Sequence, residues 1–397
     1  MTPELMRRRV AATQVKLREH GFDGMLVIKP EHVRYLAGFW GYSTRTEYAM
    51  PRRLIALVVP ASGECTLIVP KIELNYARRQ TWVGDLRHHV EWEQPDETFG
   101  GLVLLAKVLK DRGLRGRRIA IETGFVSAKL LLMLQSELAD TQFVDAPPIL
   151  EDMRMTKSSE EIAVLRISGG MAVREFTAEA RAVRAGVREF EIAAVGREEG
   201  TRCYAEELSR THGHALVDPV VDGLQIITSG ERLDMVHALS SEREIRQGDM
   251  VLLDFCRYPQ FLGYRIGFSR MVSLRQLSKA EAEMVALTME AFRLSLSVLK
   301  PGVAAEEPDL IAREFLHKHG LAETFVHRTG RGVGLEGAER PEIGAGDKTL
   351  LQPGMVVTVE PSIYMPNFAV HVEDTFLITP HGHEVLTPCP REMTFVS

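Results

Sequence analysis

Apolar residues in the first third of the chain recur with two alternating periods. Over residues 5–20 they return every three to four positions, which predicts a helix with one buried face, and Gly24-Met25-Leu26-Val27-Ile28 is a continuous apolar run of strand length. Further strands are predicted over residues 54–59, 66–69 and 118–121, with a helix over 102–112. Strands and helices in alternation build a layered α/β domain, here spanning residues 1–150. Ala146-Pro147-Pro148-Ile149 ends it, and Ser158-Ser159-Glu160-Glu161 offers an N-cap with acids in the first turn of a new helix.

The pattern changes after that point. Helices are predicted over residues 160–185, interrupted at Gly169-Gly170, over 189–203, and over 277–299, where Lys300-Pro301-Gly302 closes the last. Three strand-like runs follow a different rule. Met250-Val251-Leu252-Leu253-Asp254-Phe255, Val356-Val357-Thr358-Val359-Glu360-Pro361 and Ala369-Val370-His371-Val372-Glu373-Asp374 each deliver an acid after a buried β-branched stretch. Long helices around such strands predict an α+β domain over residues 151–397, with the site on the sheet.

At 397 residues the chain exceeds one compact core, which independently favours two domains. A net charge of −6 without a basic run argues against nucleic acid or an anionic membrane surface as partner. No segment reaches the roughly 20 apolar residues that span a bilayer, and Met6-Arg7-Arg8-Arg9-Val10 opens an amphipathic stretch rather than a secretory signal. Cys65, Cys203, Cys256 and Cys389 lie far apart without zinc-type pairing, which fits core-filling thiols in a reducing, cytoplasmic compartment.

Carboxylates that converge in one cavity repel each other, so Asp254, Glu360 and Glu373 need a metal, a shared proton or a cationic partner. Their order, with Gly263-Tyr264-Arg265-Ile266-Gly267-Phe268-Ser269-Arg270 and Thr329-Gly330-Arg331-Gly332-Val333-Gly334-Leu335-Glu336, resembles the creatinase/aminopeptidase P/prolidase superfamily, the pita-bread enzymes. The resemblance implies an α/β N-terminal domain, an α+β pita-bread catalytic domain and a homodimer. In the family's metallopeptidases two Asp, one His and two Glu hold two divalent cations. Asp254, Glu360 and Glu373 match, the second Asp falls on Gly267, and the His falls on Arg331, a permanent cation with no lone pair. Arg331 either faces inward, to pair with Glu360 or Glu373 or to hold a substrate carboxylate, or lies on a re-routed loop facing solvent.

The same resemblance makes His237 the proton carrier, while the family's second substrate His falls on Ala338. His371, two residues before Glu373, is open to several roles: orienting substrate, assisting His237, replacing a metal ligand, or serving as an ordinary strand histidine. Creatinase is the family's metal-free precedent, yet Ser269, Asp254 and Glu373 all differ from its residues, so creatine itself is a poor match as substrate. Within Gly38-Phe39-Trp40-Gly41-Tyr42-Ser43-Thr44-Arg45-Thr46-Glu47-Tyr48-Ala49-Met50, Arg45 and Tyr48 are candidate substrate contacts across a dimer interface.

The leading expectation is a metal-independent, creatinase-like hydrolase, without cofactor, that opens a C–N bond in a small polar, carboxylate-bearing metabolite. His237, Glu360 and Glu373 would be catalytic, and Arg331, Asp254, His371, Arg45 and Tyr48 would bind substrate. Two alternatives stand beside it. One is a metal-dependent Xaa-Pro peptidase-like hydrolase whose reduced ligand set is Asp254, Glu360 and Glu373, with His371 as a candidate addition; the other is a non-catalytic ligand-binding protein.

Overall fold

A computed structural model describes residues 1–43, 53–91, 100–211, 223, 225–255 and 260–396, which fall into two units, Met1–Leu150 and Glu151–Ser397. In the first, the opening helix is Pro3–Glu19, and the strands are β1 (Gly24–Val27), β2 (Ala56–Pro60), β3 (Thr66–Pro70), β4 (Asp85–His89), β5 (Arg118–Ile121) and β6 (Gln142–Asp145). They form one mixed sheet in the order β4-β3-β2-β1-β5-β6. The helices Gly100–Asp111 and Ala128–Glu137 bury Leu102, Leu105, Leu109, Leu130 and Leu134 against Leu26, Val58, Ile119 and Ile121. β4 has no apolar period to announce it: Asp-Leu-Arg-His-His sits at the sheet's edge, half-buried, and is held through ion pairs such as Asp85 with Arg112 at 2.6 Å.

The second unit begins with the helix Ser159–Ala182, capped as its sequence predicts. The Ser158 hydroxyl accepts from the Glu161 amide and Glu161 accepts from the Ser158 amide, the reciprocal pair of a capping box. Gly169-Gly170 does not interrupt this helix. Glycine there sacrifices about 1 kcal/mol of helix propensity, but a Cβ at Gly169 would lie 1.9 Å from the Leu386 carbonyl oxygen, so close backbone approach decides the residue. The next helix, Glu189–Thr211, runs past the predicted end because Tyr204 and Leu208 keep its buried stripe going.

The remaining strands are β7 (Ile226–Ser229), β8 (Met250–Asp254), β9 (Gln260–Phe261), β10 (Tyr264–Arg265), β11 (Ser269–Ser273), β12 (Gly330–Gly332), β13 (Glu339–Ile343), β14 (Val356–Val359), β15 (Ser362–Met365), β16 (Phe368–His371), β17 (Asp374–Thr379), β18 (Gly382–Val385) and β19 (Thr394–Phe395). They assemble as a four-stranded sheet, β19-β11-β8-β7, a five-stranded sheet, β13-β12-β14-β17-β18, and two hairpins, β9/β10 and β15/β16. The helices Lys279–Val298 and Glu307–Lys318 close one core around Phe292, Val357, Val359 and Phe376, and another around Ala312, Leu316 and Ile363. No helix among the described residues is long and apolar enough to cross a membrane.

Candidate functional site

Strand pairing brings the acids together. β11 runs antiparallel to β8 with Ser269 opposite Asp254, and Ser269 also bridges Glu373, amide to carbonyl in both directions, at 3.2 and 3.3 Å. Directly opposed residues share a face of the sheet, so Asp254, Ser269 and Glu373 line one surface. Arg270 locks the junction: its fully buried guanidinium donates to the carbonyls of Ser269 at 2.7 Å and Glu373 at 2.9 Å and pairs with Asp374 at 2.8 Å. Glu360 follows β14, its amide donating to the Thr329 carbonyl at 2.6 Å, which sets it beside β12.

Arg331 is buried on β12. Its Nε donates to the Gly337 carbonyl at 2.9 Å; its Nη1 pairs with Glu360 Oε1 and lies 3.2 Å from Glu373 Oε1. This approach needs Gly330, where a Cβ would stand 2.0 Å from the Thr358 carbonyl oxygen. His371, at the end of β16, places Nε2 3.5 Å from Glu360 Oε2 and Nδ1 3.0 Å from the Tyr364 hydroxyl. Tyr364 in turn lies 3.3 Å from His327 Nε2.

The electrostatics follow from this packing. Burial alone would raise the pKa of Glu360, but the Arg331 guanidinium and the neighbouring His371 and His327 outweigh it and hold the carboxyl at about 2. Burial and the ionised Glu360 push Glu373 the other way, to about 8. The two carboxyls therefore differ in protonation at neutral pH. For His371, burial favours the neutral ring, yet the surrounding carboxylates of Glu360, Asp254 and Glu373 raise its pKa; His327 is lowered, chiefly by burial.

A dinuclear metal centre does not fit these residues. At Gly267 a Cβ would lie 2.1 Å from Glu373 Oε1, so the Glu373 carboxylate occupies the room a further acid would need, and the Arg331 cation stands between Glu360 and Glu373. A single ion does fit. Glu360, His371 and Glu373 each offer a ligand atom, all within 4.8 Å of one another and all buried. The set includes one imidazole nitrogen, and that nitrogen, His371 Nε2, is buried without a hydrogen bond.

Of the other residues singled out in the sequence, Asp254 is 3% exposed at the end of β8 but lies outside this trio. His237 is exposed in the turns after β7, and no hydrogen bond among the described residues ties it to the carboxylates. Arg45 and Tyr48 fall outside the described residues. The sequence reading missed His327 and Tyr364. They lie four residues before Arg331 and four after Glu360, a spacing that by itself marks no function.

A third missed residue, Glu339, anchors the turn whose Gly337 carbonyl receives Arg331. Its carboxylate pairs with Arg154 and, at 3.1 Å, with Lys157, and it accepts from the Glu336 amide at 2.9 Å. Burial works against ionisation, but Lys157 and Arg154 prevail and lower its pKa from 4.5 to about 2. A folded-state pKa below the unfolded value gives stability that is present above pH 4.5 and is lost as pH falls toward 2. The shift corresponds to something on the order of 3 kcal/mol. Urea midpoints between pH 5 and 2 are expected to fall less steeply for Glu339→Gln than for the wild type; parallel curves would remove this assignment.

Comparison with known proteins places the chain. The model of metallopeptidase family M24 matches residues 163–380, more than half of the chain, and that of the creatinase/prolidase N-terminal domain matches residues 9–156. The Xaa-Pro dipeptidase of Pyrococcus furiosus is 28% identical across 98% of this chain and 100% of its own. A Mycobacterium tuberculosis protein named "Probable dipeptidase PepE" is 31% identical across 99% and 97%. Among solved structures, dipeptidase PepE from Mycobacterium ulcerans superposes with a TM-score of 0.82 at 28% identity, over 100% of this chain and 99% of that one. The Xaa-Pro dipeptidase from Bacillus anthracis gives 0.82 at 25%, over 98% and 100%.

These matches overturn the expectation of a metal-independent, creatinase-like hydrolase, because the family is one of metallopeptidases and the relatives spanning the whole chain carry dipeptidase names. That expectation gave the two lost ligands more weight than the acids that remain. With its α/β N-terminal domain and α+β pita-bread C-terminal domain, the chain belongs to metallopeptidase family M24, a family of C–N bond hydrolases.

Proposed function

We propose that this protein is a metal-dependent, Xaa-Pro dipeptidase-like hydrolase working with a reduced ligand set, one divalent cation held by Glu360, His371 and Glu373. The observation that carries the reading is the buried trio of converging ligand atoms, two carboxylates and an imidazole. The names of the full-length relatives support a dipeptide with proline in the second position as substrate. When bound, the cation supplies Lewis-acid polarisation of the scissile carbonyl and a bound water of lowered pKa.

The chain's own groups do the rest. Glu373 is assigned to hold the ion and to orient the attacking water beside it. Arg331 keeps Glu360 ionised and adds a second positive charge beside it. Asp254 is assigned to the substrate's α-amino group, and His237 to proton exchange at the solvent side. Arg45 and Tyr48 remain proposed contacts across a homodimer, measurable as a two-chain mass in solution. A reducing cytoplasmic setting is part of the same reading, supported by the free thiols of Cys65 and Cys203, which burial pushes up to about 12.

The test is hydrolysis of Xaa-Pro dipeptides by EDTA-stripped protein as manganese, cobalt or zinc is added back, with bound metal counted by elemental mass spectrometry. Activity should saturate near one equivalent. Stoichiometric metal without hydrolysis of any such dipeptide would defeat the peptidase reading, and tight metabolite binding without turnover would put a ligand-binding protein in its place.

A further inference from the structure

His371 can serve as a ligand only if the lone pair on Nε2, rather than a hydrogen, faces the carboxylates. The geometry settles which nitrogen carries the hydrogen through a chain of three groups. His327 Nδ1 lies 2.7 Å from the backbone carbonyl of Arg328. A carbonyl only accepts, so Nδ1 of His327 is the N–H, and the other nitrogen of a neutral imidazole is then an acceptor. The group that faces this acceptor is the Tyr364 hydroxyl, at 3.3 Å, which donates to it.

Having donated its one hydrogen, the Tyr364 oxygen presents lone pairs to His371 Nδ1 at 3.0 Å, so Nδ1 of His371 carries the hydrogen. In the neutral ring that a metal would bind, His371 Nε2 is the nitrogen with the lone pair, buried and directed at Glu360 from 3.5 Å. Backbone pairing fixes the spacing: Ser362 opposes His371 and Tyr364 opposes Ala369 in the β15/β16 hairpin, which keeps hydroxyl and imidazole in reach. Rings also pack throughout, with His327 and Tyr364 at 5.6 Å and His327 and His371 at 5.8 Å between centroids.

We infer that His327 and Tyr364 are positioning residues that fix the Nδ1–H tautomer of His371 and thereby make Nε2 the nitrogen ligand of a one-ion site. The inference rests on the one-ion reading above. Support of this kind from behind a metal-binding histidine is worth about 10- to 100-fold in affinity.

Titrate the full-length, EDTA-stripped protein with Co²⁺, following visible absorption and heat. Wild type should take up about one equivalent, and Tyr364→Phe, with an unchanged melting temperature in EDTA, should bind about 10- to 100-fold more weakly. His327→Ala reads the same chain from its far end and should shift affinity in the same direction. In a His371→Ala background, adding Tyr364→Phe should change Co²⁺ affinity less than about twofold, because the relay has lost its target. Undiminished binding in Tyr364→Phe and His327→Ala overturns the relay, as does an equal effect of Tyr364→Phe with and without His371. Undiminished binding in His371→Ala shows that His371 is not a ligand. A wild type that binds no Co²⁺ defeats the one-ion centre itself, and the relay with it.

Discussion

Glu360→Gln is expected to lower kcat/KM on an Xaa-Pro dipeptide by at least about 10³-fold, the equivalent of roughly 4 kcal/mol of transition-state stabilisation. The substitution keeps the side chain's size, so the loss would come from charge. Glu360 is the ionised member of the carboxyl pair and the main partner of Arg331. A neutral amide there is a poor ligand for a hard cation, and it leaves Glu373 as the carboxylate nearest the guanidinium. Glu373 is held up at about 8 by burial first and by the charge of Glu360 second. Removing that charge lets Arg331 draw the Glu373 pKa downward. The variant should therefore lose metal affinity, and in the metal-free protein the Glu373 carboxyl should titrate at lower pH than in the wild type. Full activity with stoichiometric metal in Glu360→Gln would mean that the reacting centre lies elsewhere.

Much of the scaffold is legible in the sequence because burial imposes a period. Helix and strand patterns in the first 150 residues locate β1, β2, β3 and β5 to within a residue or two, and Ser158 with Glu161 marks a helix start exactly as a capping box should. Where polar contacts decide, the pattern is silent. β4 is held by Asp85 and its arginines, and Gly169 breaks nothing because the Leu386 carbonyl fills the place of its side chain.

The site divides in the same way. An acid at the end of an apolar strand is visible as such, and so is an arginine in place of a histidine. Whether that arginine meets one carboxylate or two depends on a strand crossing more than 25 residues away in sequence, between β12 and β14. Tyr364 and His327 carry no mark of function, since a lone aromatic group in a strand is most often core. Their meaning lies in distances of about 3 Å that no spacing rule encodes.

The Arg331 cation and a bound divalent ion would answer the same need, neutralising buried carboxylates, and stability can separate their contributions. Arg331→Met should destabilise the metal-free protein by about 3–5 kcal/mol, the usual result of breaking a buried ion pair by removing one partner. The methionine fills space but leaves Glu360 buried without its cation, and its pKa, held at about 2 by Arg331 against burial, must rise. In the wild type the depressed pKa contributes stability above pH 4.5 that is lost as pH falls toward 2. In the variant that contribution is gone, so the gap between the two proteins should be widest at neutral pH and close as pH falls through 4.5 toward 2. Divalent metal should narrow the gap at neutral pH, because an ion bound at 100 times its dissociation constant adds about 2.7 kcal/mol to whichever protein holds it more tightly. The variant, freed of a competing cation, should be that protein. Urea midpoints at pH 7 in EDTA and in excess Mn²⁺ measure both effects. A gap of the same size in the two conditions would mean that Arg331 serves the fold alone and does not share the carboxylates with a metal.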